Sequence, residues 1–172
     1  MAGRVLSDAS PLIGLARVDG LPWLKDLFGE VWVPQEVWRE LLPGRGLPDE
    51  PLLLCAHERG ILRLCDAAPV EPPGACIDAG LDAGLDEGET ACIRHALADG
   101  KGSLLLMDER AGRAIAIEQG LQVVGTAAVI GMARQRGLIP SAKAVFARLH
   151  ASDFRISAAV ISTILRRVGE AD

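Results

Sequence analysis

The chain has 172 residues, 49% of them apolar, and a formal net charge of −5. That size and composition suit one domain with a real core and exclude a disordered tail. The negative charge excludes a protein that holds nucleic acid by bulk charge alone, though not one that grips a phosphate through a divalent cation.

Residues 4–7 read as a short buried strand that ends at Asp8. Ser10 and Pro11 fit the cap and first position of a helix, with Leu12, Leu15 and Val18 on its apolar face. A second helix is expected over 21–28 and a second strand over 31–33. Pro34 opens a helix that carries Val37, Glu40 and Leu41, and Pro43-Gly44 stops it. Residues 51–58 read as helix and 61–64 as the third strand. Residues 66–84 hold Pro69, Pro72 and Pro73 and then Asp78, Asp82 and Asp86 at intervals of four. That spacing does not match an EF-hand loop, and a solvated surface linker is expected. A helix follows over 87–98. The fourth strand, 103–107, ends at Asp108. The next helix, 110–119, is expected to turn Ala114, Ile115 and Ile117 inward. Residues 121–124 form the fifth strand, and Thr126 is read as the cap of a helix that runs to Gly137. Two last helices start at Ser141 and Ser157.

Strands that alternate with helices predict an α/β domain with a parallel sheet covered on both faces. The continuous apolar strands agree. One domain is expected over residues 1–172, with the helices from about 141 packed on it. No apolar run reaches bilayer length, and the opening residues show no secretory core. Cys55, Cys65, Cys76 and Cys92 form no C-x-x-C pair, so a zinc site is not expected. Reduced thiols point to a cytoplasmic protein.

In open parallel sheets, ligands bind at the carboxyl ends of the strands. Asp8 and Asp108 both stand at such ends. Ser10 as the cap leaves Asp8 for chemistry, whereas Asp108 could equally cap the helix beginning at Glu109-Arg110. Glu40 shares a helix face with Glu36, which is an alternative to it. Glu89 completes an acidic capping box with Asp86, and Glu87 is an alternative ligand. Carboxylates that face one cavity repel one another unless a cation or protons intervene. Oxygen ligands suit Mg²⁺ or Mn²⁺, which can polarise a phosphoryl oxygen and activate a water. Phosphoester hydrolysis is the chemistry that needs such a site. Relief of repulsion then predicts that Asp108→Asn melts higher than wild type without metal. His57, His95 and His150 are scattered over helices and expected at the surface. Arg110 and Arg113 follow Asp108 and could hold phosphates; Arg134, Arg136, Arg166 and Arg167 are weaker candidates. Three Trp, three Phe and no Tyr argue against a base-stacking platform.

Four segments carry a resemblance. Residues 5–12, VLSDASPL, resemble the opening signature of PIN domains. Residues 33–41, VPQEVWREL, resemble their second motif and place its acid at Glu40. Residues 85–93, LDEGETACI, resemble the third, with Glu89 as the metal-facing acid, and residues 105–113, LLMDERAGR, the fourth. Residues 120–126, 137–139 and 154–157 continue the match over nearly the whole chain. The resemblance is to a compact prokaryotic subfamily of PIN-like, predicted nucleic-acid-binding proteins. It implies a three-layer α/β/α sandwich with a central parallel sheet. It also implies a metal-dependent endoribonuclease in which Asp8, Glu40, Glu89 and Asp108 are catalytic and bind one or two Mg²⁺ or Mn²⁺ ions, with Ser10 supporting the first acid. Glutamate at the third acidic position departs from common toxins of the family. Many relatives are dimeric toxins of type II toxin–antitoxin modules silenced by a small antitoxin. A homodimer through Leu12, Leu15, Leu24 and Phe28 is therefore expected. Haloacid-dehalogenase and receiver folds are set aside, because Ser10 stands where the former needs a second Asp and Ser7-Asp8 lacks the acidic pair of the latter. The remaining rivals are a PIN-like binding or scaffold protein without catalysis and a nuclease acting on DNA.

Overall fold

The structure, a computed structural model, describes residues 3–66, 84–100 and 102–171. The linker expected around residues 67–83, and Cys76 within it, lies outside the described residues. The five strands are β1 (Val5–Ser7), β2 (Val31–Val33), β3 (Leu62–Leu64), β4 (Leu104–Leu106) and β5 (Gln122–Val124). They form one parallel sheet in the order β3-β2-β1-β4-β5. Each strand is short, and its apolar residues are drawn into the core: Leu6, Val31, Val33, Leu62, Leu105 and Leu106 are buried.

The described helices are α1 (Ala9–Ala16), α2 (Leu21–Phe28), α3 (Gln35–Leu41), α4 (Glu50–Glu58), α5 (Glu87–Asp99), α6 (Arg110–Glu118), α7 (Thr126–Gln135), α8 (Ala142–Ala151) and α9 (Ala158–Val168). With the sheet they make the three-layer α/β/α arrangement. Helix α5 lies against β1 and β4 and α6 against β5, while α1, α2 and α7 pack on one another. Because the chain leaves β3 on one side of β1 and re-enters at β4 on the other, the strand order reverses between β1 and β4. In open α/β sheets that reversal opens a crevice at the carboxyl ends, and Asp8 and Asp108 flank it.

Several expectations are corrected. Leu12, Leu15 and Leu24 are fully buried in the core of the chain itself; they cannot form the dimer face expected of them, and Phe28 packs partly buried against the same core. On α6, Ala116 and Gly112 turn inward instead of Ala114 and Ile117, and Ile117 is 57% exposed. His95 is buried, not superficial. Ser141 and Ser157 do cap their helices, accepting from the N–H groups of Ala144 and Val160.

Helices α7, α8 and α9 build a second apolar cluster around Ile130, Phe146, Leu149 and Ile164, which Val18 joins to α1. Glu170, just past α9, fastens this unit. Its carboxylate accepts from Arg134 Nε (2.7 Å), Ser141 Oγ (2.8 Å) and the N–H groups of Ala142 and Lys143 (2.9 Å each) at the start of α8. The helix N-terminus favours an anion there. Desolvation pushes the Glu170 carboxyl up, but the N–H groups of Lys143 and Ala142, then Ser141 and Arg134, outweigh it and hold the group at about 2. A depressed folded pKa gives stability that is present above the unfolded value and lost as pH falls through the folded one. Glu170→Gln is therefore expected to lower the melting temperature at pH 7, and the difference from wild type to fade between about pH 4 and pH 2. Paired thermal melts across that range check it.

Candidate active site

Asp8 follows β1, and its N–H donates to Leu106 O across the crevice (2.9 Å). Helix α1 begins at Ala9, two residues earlier than a Ser10 cap would set it, so Asp8 occupies the capping position. Its side chain makes no cap hydrogen bond. Ser10 is exposed in the first turn, which corrects its expected capping role. Apart from the Ala9 N–H, the carboxylate of Asp8 is thus not spent on the helix. It is 5% exposed, and its Oδ1 is buried without a hydrogen-bond partner.

Glu89 lies one turn into α5. The expected capping box forms: Glu89 N–H donates to Asp86 Oδ1 (2.8 Å), and Asp86 N–H donates to Glu89 Oε2 (3.0 Å). The cap uses only one oxygen of Glu89. The other, Oε1, is buried with no partner. Glu89 therefore serves the cap with one oxygen and leaves the other uncommitted. Two glycines let the backbone close on these acids. A Cβ at Gly88 would stand 3.1 Å from Asp8 Oδ1, and one at Gly112 would stand 2.8 Å from Glu89 Oε1.

Glu40 is exposed on α3, beside a cavity of about 430 Å³ lined also by Glu36, Arg39, Asp86 and Glu87. The acids feel one another. Burial, reinforced by Asp86, Glu40 and Glu89 and opposed by the Ala9 N–H, pushes Asp8 up to about 7. Glu89 is raised by burial, against its hydrogen bond from Asp86, and by the charges of Asp86, Glu109 and Glu40. Glu40 is raised by partial burial and then by Asp86. Asp86, read from sequence only as a cap, is the charge common to all three. Its capping signal hid that second role.

Asp108 stands apart. Its Oδ1 accepts from Thr126 N–H (2.8 Å) and its Oδ2 from Thr126 Oγ (2.7 Å). It does not cap α6, whose capping position is Glu109, and its charge is not among those that raise Asp8, Glu40 or Glu89. Thr126 is the first residue of α7, not its cap. Asp108 is that helix's side-chain acceptor, supplied from β4. This overturns the expectation that Asp108→Asn stabilises the metal-free protein.

Among the described residues, no three His, Cys, Asp or Glu side chains already converge to hold one ion. Magnesium does not require that. It keeps several waters and binds through one or two carboxylates plus substrate phosphates. The two partnerless buried oxygens, on Asp8 and Glu89, are hard donors of the kind such an ion takes, and Glu40 and Asp86 add negative charge around them. The residues present fit a divalent cation.

A family model described as a PIN domain matches residues 4–170. The chain belongs to the PIN-domain family. No curated protein matches it. PIN domains have a nuclease-type fold, and they generally use divalent metals. In this PIN domain Asp8 and Asp108 follow β1 and β4 at the carboxyl edge of the sheet, while Glu40 and Glu89 stand on α3 and α5. Among the described residues, no helix is long and apolar enough to cross a membrane.

Proposed function

We propose that this PIN domain is a metal-dependent endoribonuclease that hydrolyses RNA phosphodiester bonds with Mg²⁺ or Mn²⁺. The observation that carries the reading is the pair of buried, partnerless carboxylate oxygens, Asp8 Oδ1 and Glu89 Oε1. A carboxylate desolvated without a partner is costly, and a cation is what removes that cost. Asp8 and Glu89 would hold the metal, with Glu40 beside them, and the ion would polarise a phosphoryl oxygen and supply hydroxide at neutral pH. Asp108, fixed by Thr126, is the fourth catalytic acid on this reading and orients the attacking water or a second ion. Arg110, exposed at the start of α6, is a candidate phosphate contact. Arg134 is not, because it is paired with Glu170.

The same reading makes the chain the cytoplasmic toxin of a type II module, with a small antitoxin and a second copy as partners. The second copy would dock on a surface other than Leu12, Leu15 and Leu24. The test is incubation of the pure protein with mixed single-stranded and structured RNAs. Cleavage in Mn²⁺ that stops in EDTA is expected. Full cleavage in EDTA contradicts the mechanism, cleavage of DNA alone contradicts the substrate, and binding without cleavage leaves a non-catalytic PIN domain.

A further inference from the structure

Beside Asp108 a cavity of about 390 Å³ opens between α6, the start of α7 and α9. Arg113 and Arg155 line it, and Ile156, Val160 and Ile164 form its apolar wall. The two arginines differ from six others in the chain. Arg4, Arg17, Arg39, Arg63, Arg134 and Arg148 are all paired with carboxylates. Arg113 and Arg155 are instead tied to backbone carbonyls. Arg113 donates from one terminal nitrogen to Met107 O (2.9 Å). Arg155 donates from one terminal nitrogen to the carbonyls of His150 (3.0 Å), Ser152 (2.6 Å) and Phe154 (3.2 Å). Carbonyls fix a guanidinium without cancelling its charge. Each side chain keeps further N–H donors on the same rigid fork.

From this we infer that the groove is the track of the RNA backbone, with Arg113 and Arg155 each taking a phosphate as the strand passes Asp108. The inference rests on the ribonuclease reading and names the surface that delivers its substrate. Charge supports it. On the other side of the site, Glu36, Glu40, Asp86 and Glu87 line the cavity of α3 and α5 and repel a polyanion, so the strand approaches over the cationic side. Anchoring also supports it, because arginines already held in place lose little freedom on binding, and guanidinium–phosphate hydrogen bonds are charge-assisted and bidentate. The wall offers aliphatic side chains and no ring for stacking, so the groove reads backbone rather than base.

The probe is a fluorescently labelled single-stranded RNA, bound by the full chain in EDTA and read by anisotropy at several salt concentrations. Arg113→Gln and Arg155→Gln are each expected to weaken binding by about tenfold and to flatten the salt dependence by about one unit of slope. Arg45→Ala, at an exposed residue that does not line the groove, is expected to bind like wild type. Arg155 also ties its loop, so its loss could unsettle the fold. Val160→Glu sets a negative charge on the groove wall at a position 45% exposed, and the same loss is expected with an unchanged melting temperature. Variants that bind RNA as wild type does overturn the inference, including the case in which they lose affinity only for an acidic peptide. Cleavage in Mn²⁺ is scored separately. Unchanged variant affinity with active cleavage rejects the groove alone, and groove-dependent binding without cleavage rejects the nuclease reading alone.

Discussion

Asp8→Asn is expected to melt several degrees higher than wild type in EDTA at pH 8 and to cleave no RNA. The carboxyl of Asp8 is pushed up to about 7 from 3.8, first by burial and then by Asp86, Glu40 and Glu89. A raised folded pKa means a stabilising contribution that is complete below the unfolded pKa and lost as pH rises through the folded one. The metal-free wild type therefore loses stability between about pH 4 and pH 7, by roughly 4 kcal/mol for this group at the upper end of expectation. Asparagine keeps the shape and drops the charge, so the mutant escapes that loss. Melting curves of both proteins from pH 4 to pH 8 in EDTA check the sign. The two should converge at the acid end and separate as pH rises. A mutant that melts lower at pH 8 would show that the carboxylate of Asp8 is structural.

The second large effect lies at Asp108 and has the opposite sign. Asp108 accepts both the N–H and the hydroxyl of Thr126 at the start of α7. Asparagine has one acceptor and presents an amide donor to the other. Asp108→Asn is expected to lose about 1–3 kcal/mol of stability in EDTA, since one Thr126 group is left without its partner. Thr126→Val keeps the backbone bond and removes the hydroxyl, so about 1 kcal/mol is expected. The two changes break one contact, and the double mutant should fall short of their sum. Thr126→Val is also expected to cleave RNA more slowly while binding it unchanged, because it frees Asp108 to rotate; Thr126→Ser should restore both. Chemical denaturation and single-turnover cleavage of wild type and the four variants measure this. An additive cycle would mean that Thr126 and Asp108 act independently.

Local signals made most of the fold legible. The short apolar runs give the five strands, and Ser141 and Ser157 mark two helix starts that the structure keeps. Asp86 and Glu89 spell a capping box within four residues, and it forms. What failed depends on partners distant in sequence. Asp108 meets Thr126 across β5, 18 residues away, and nothing near Asp108 announces that contact. Leu12, Leu15 and Leu24 make an apolar face whether it covers a core or a partner copy, and periodicity cannot tell these apart. Ser10-Pro11 is a good cap signal two residues out of register, since Asp8 can hold the capping position without a side-chain cap bond. In the site, strand ends located Asp8 and Asp108, while the joint placement of Glu40, Asp86 and Glu89 depends on how α3 meets α5.

The central claim is that Asp8 and Glu89 form the heart of a divalent-cation site. Thermal melting of wild type and Asp8→Asn at pH 8 during Mn²⁺ titration from an EDTA-stripped start tests it most directly, without knowledge of the RNA. A ligand that binds only the native state raises stability with the logarithm of its concentration. The melting temperature of wild type should climb steadily, while Asp8→Asn starts higher and stays nearly flat. A wild type indifferent to Mn²⁺, or a mutant that gains as much as wild type, would contradict the account.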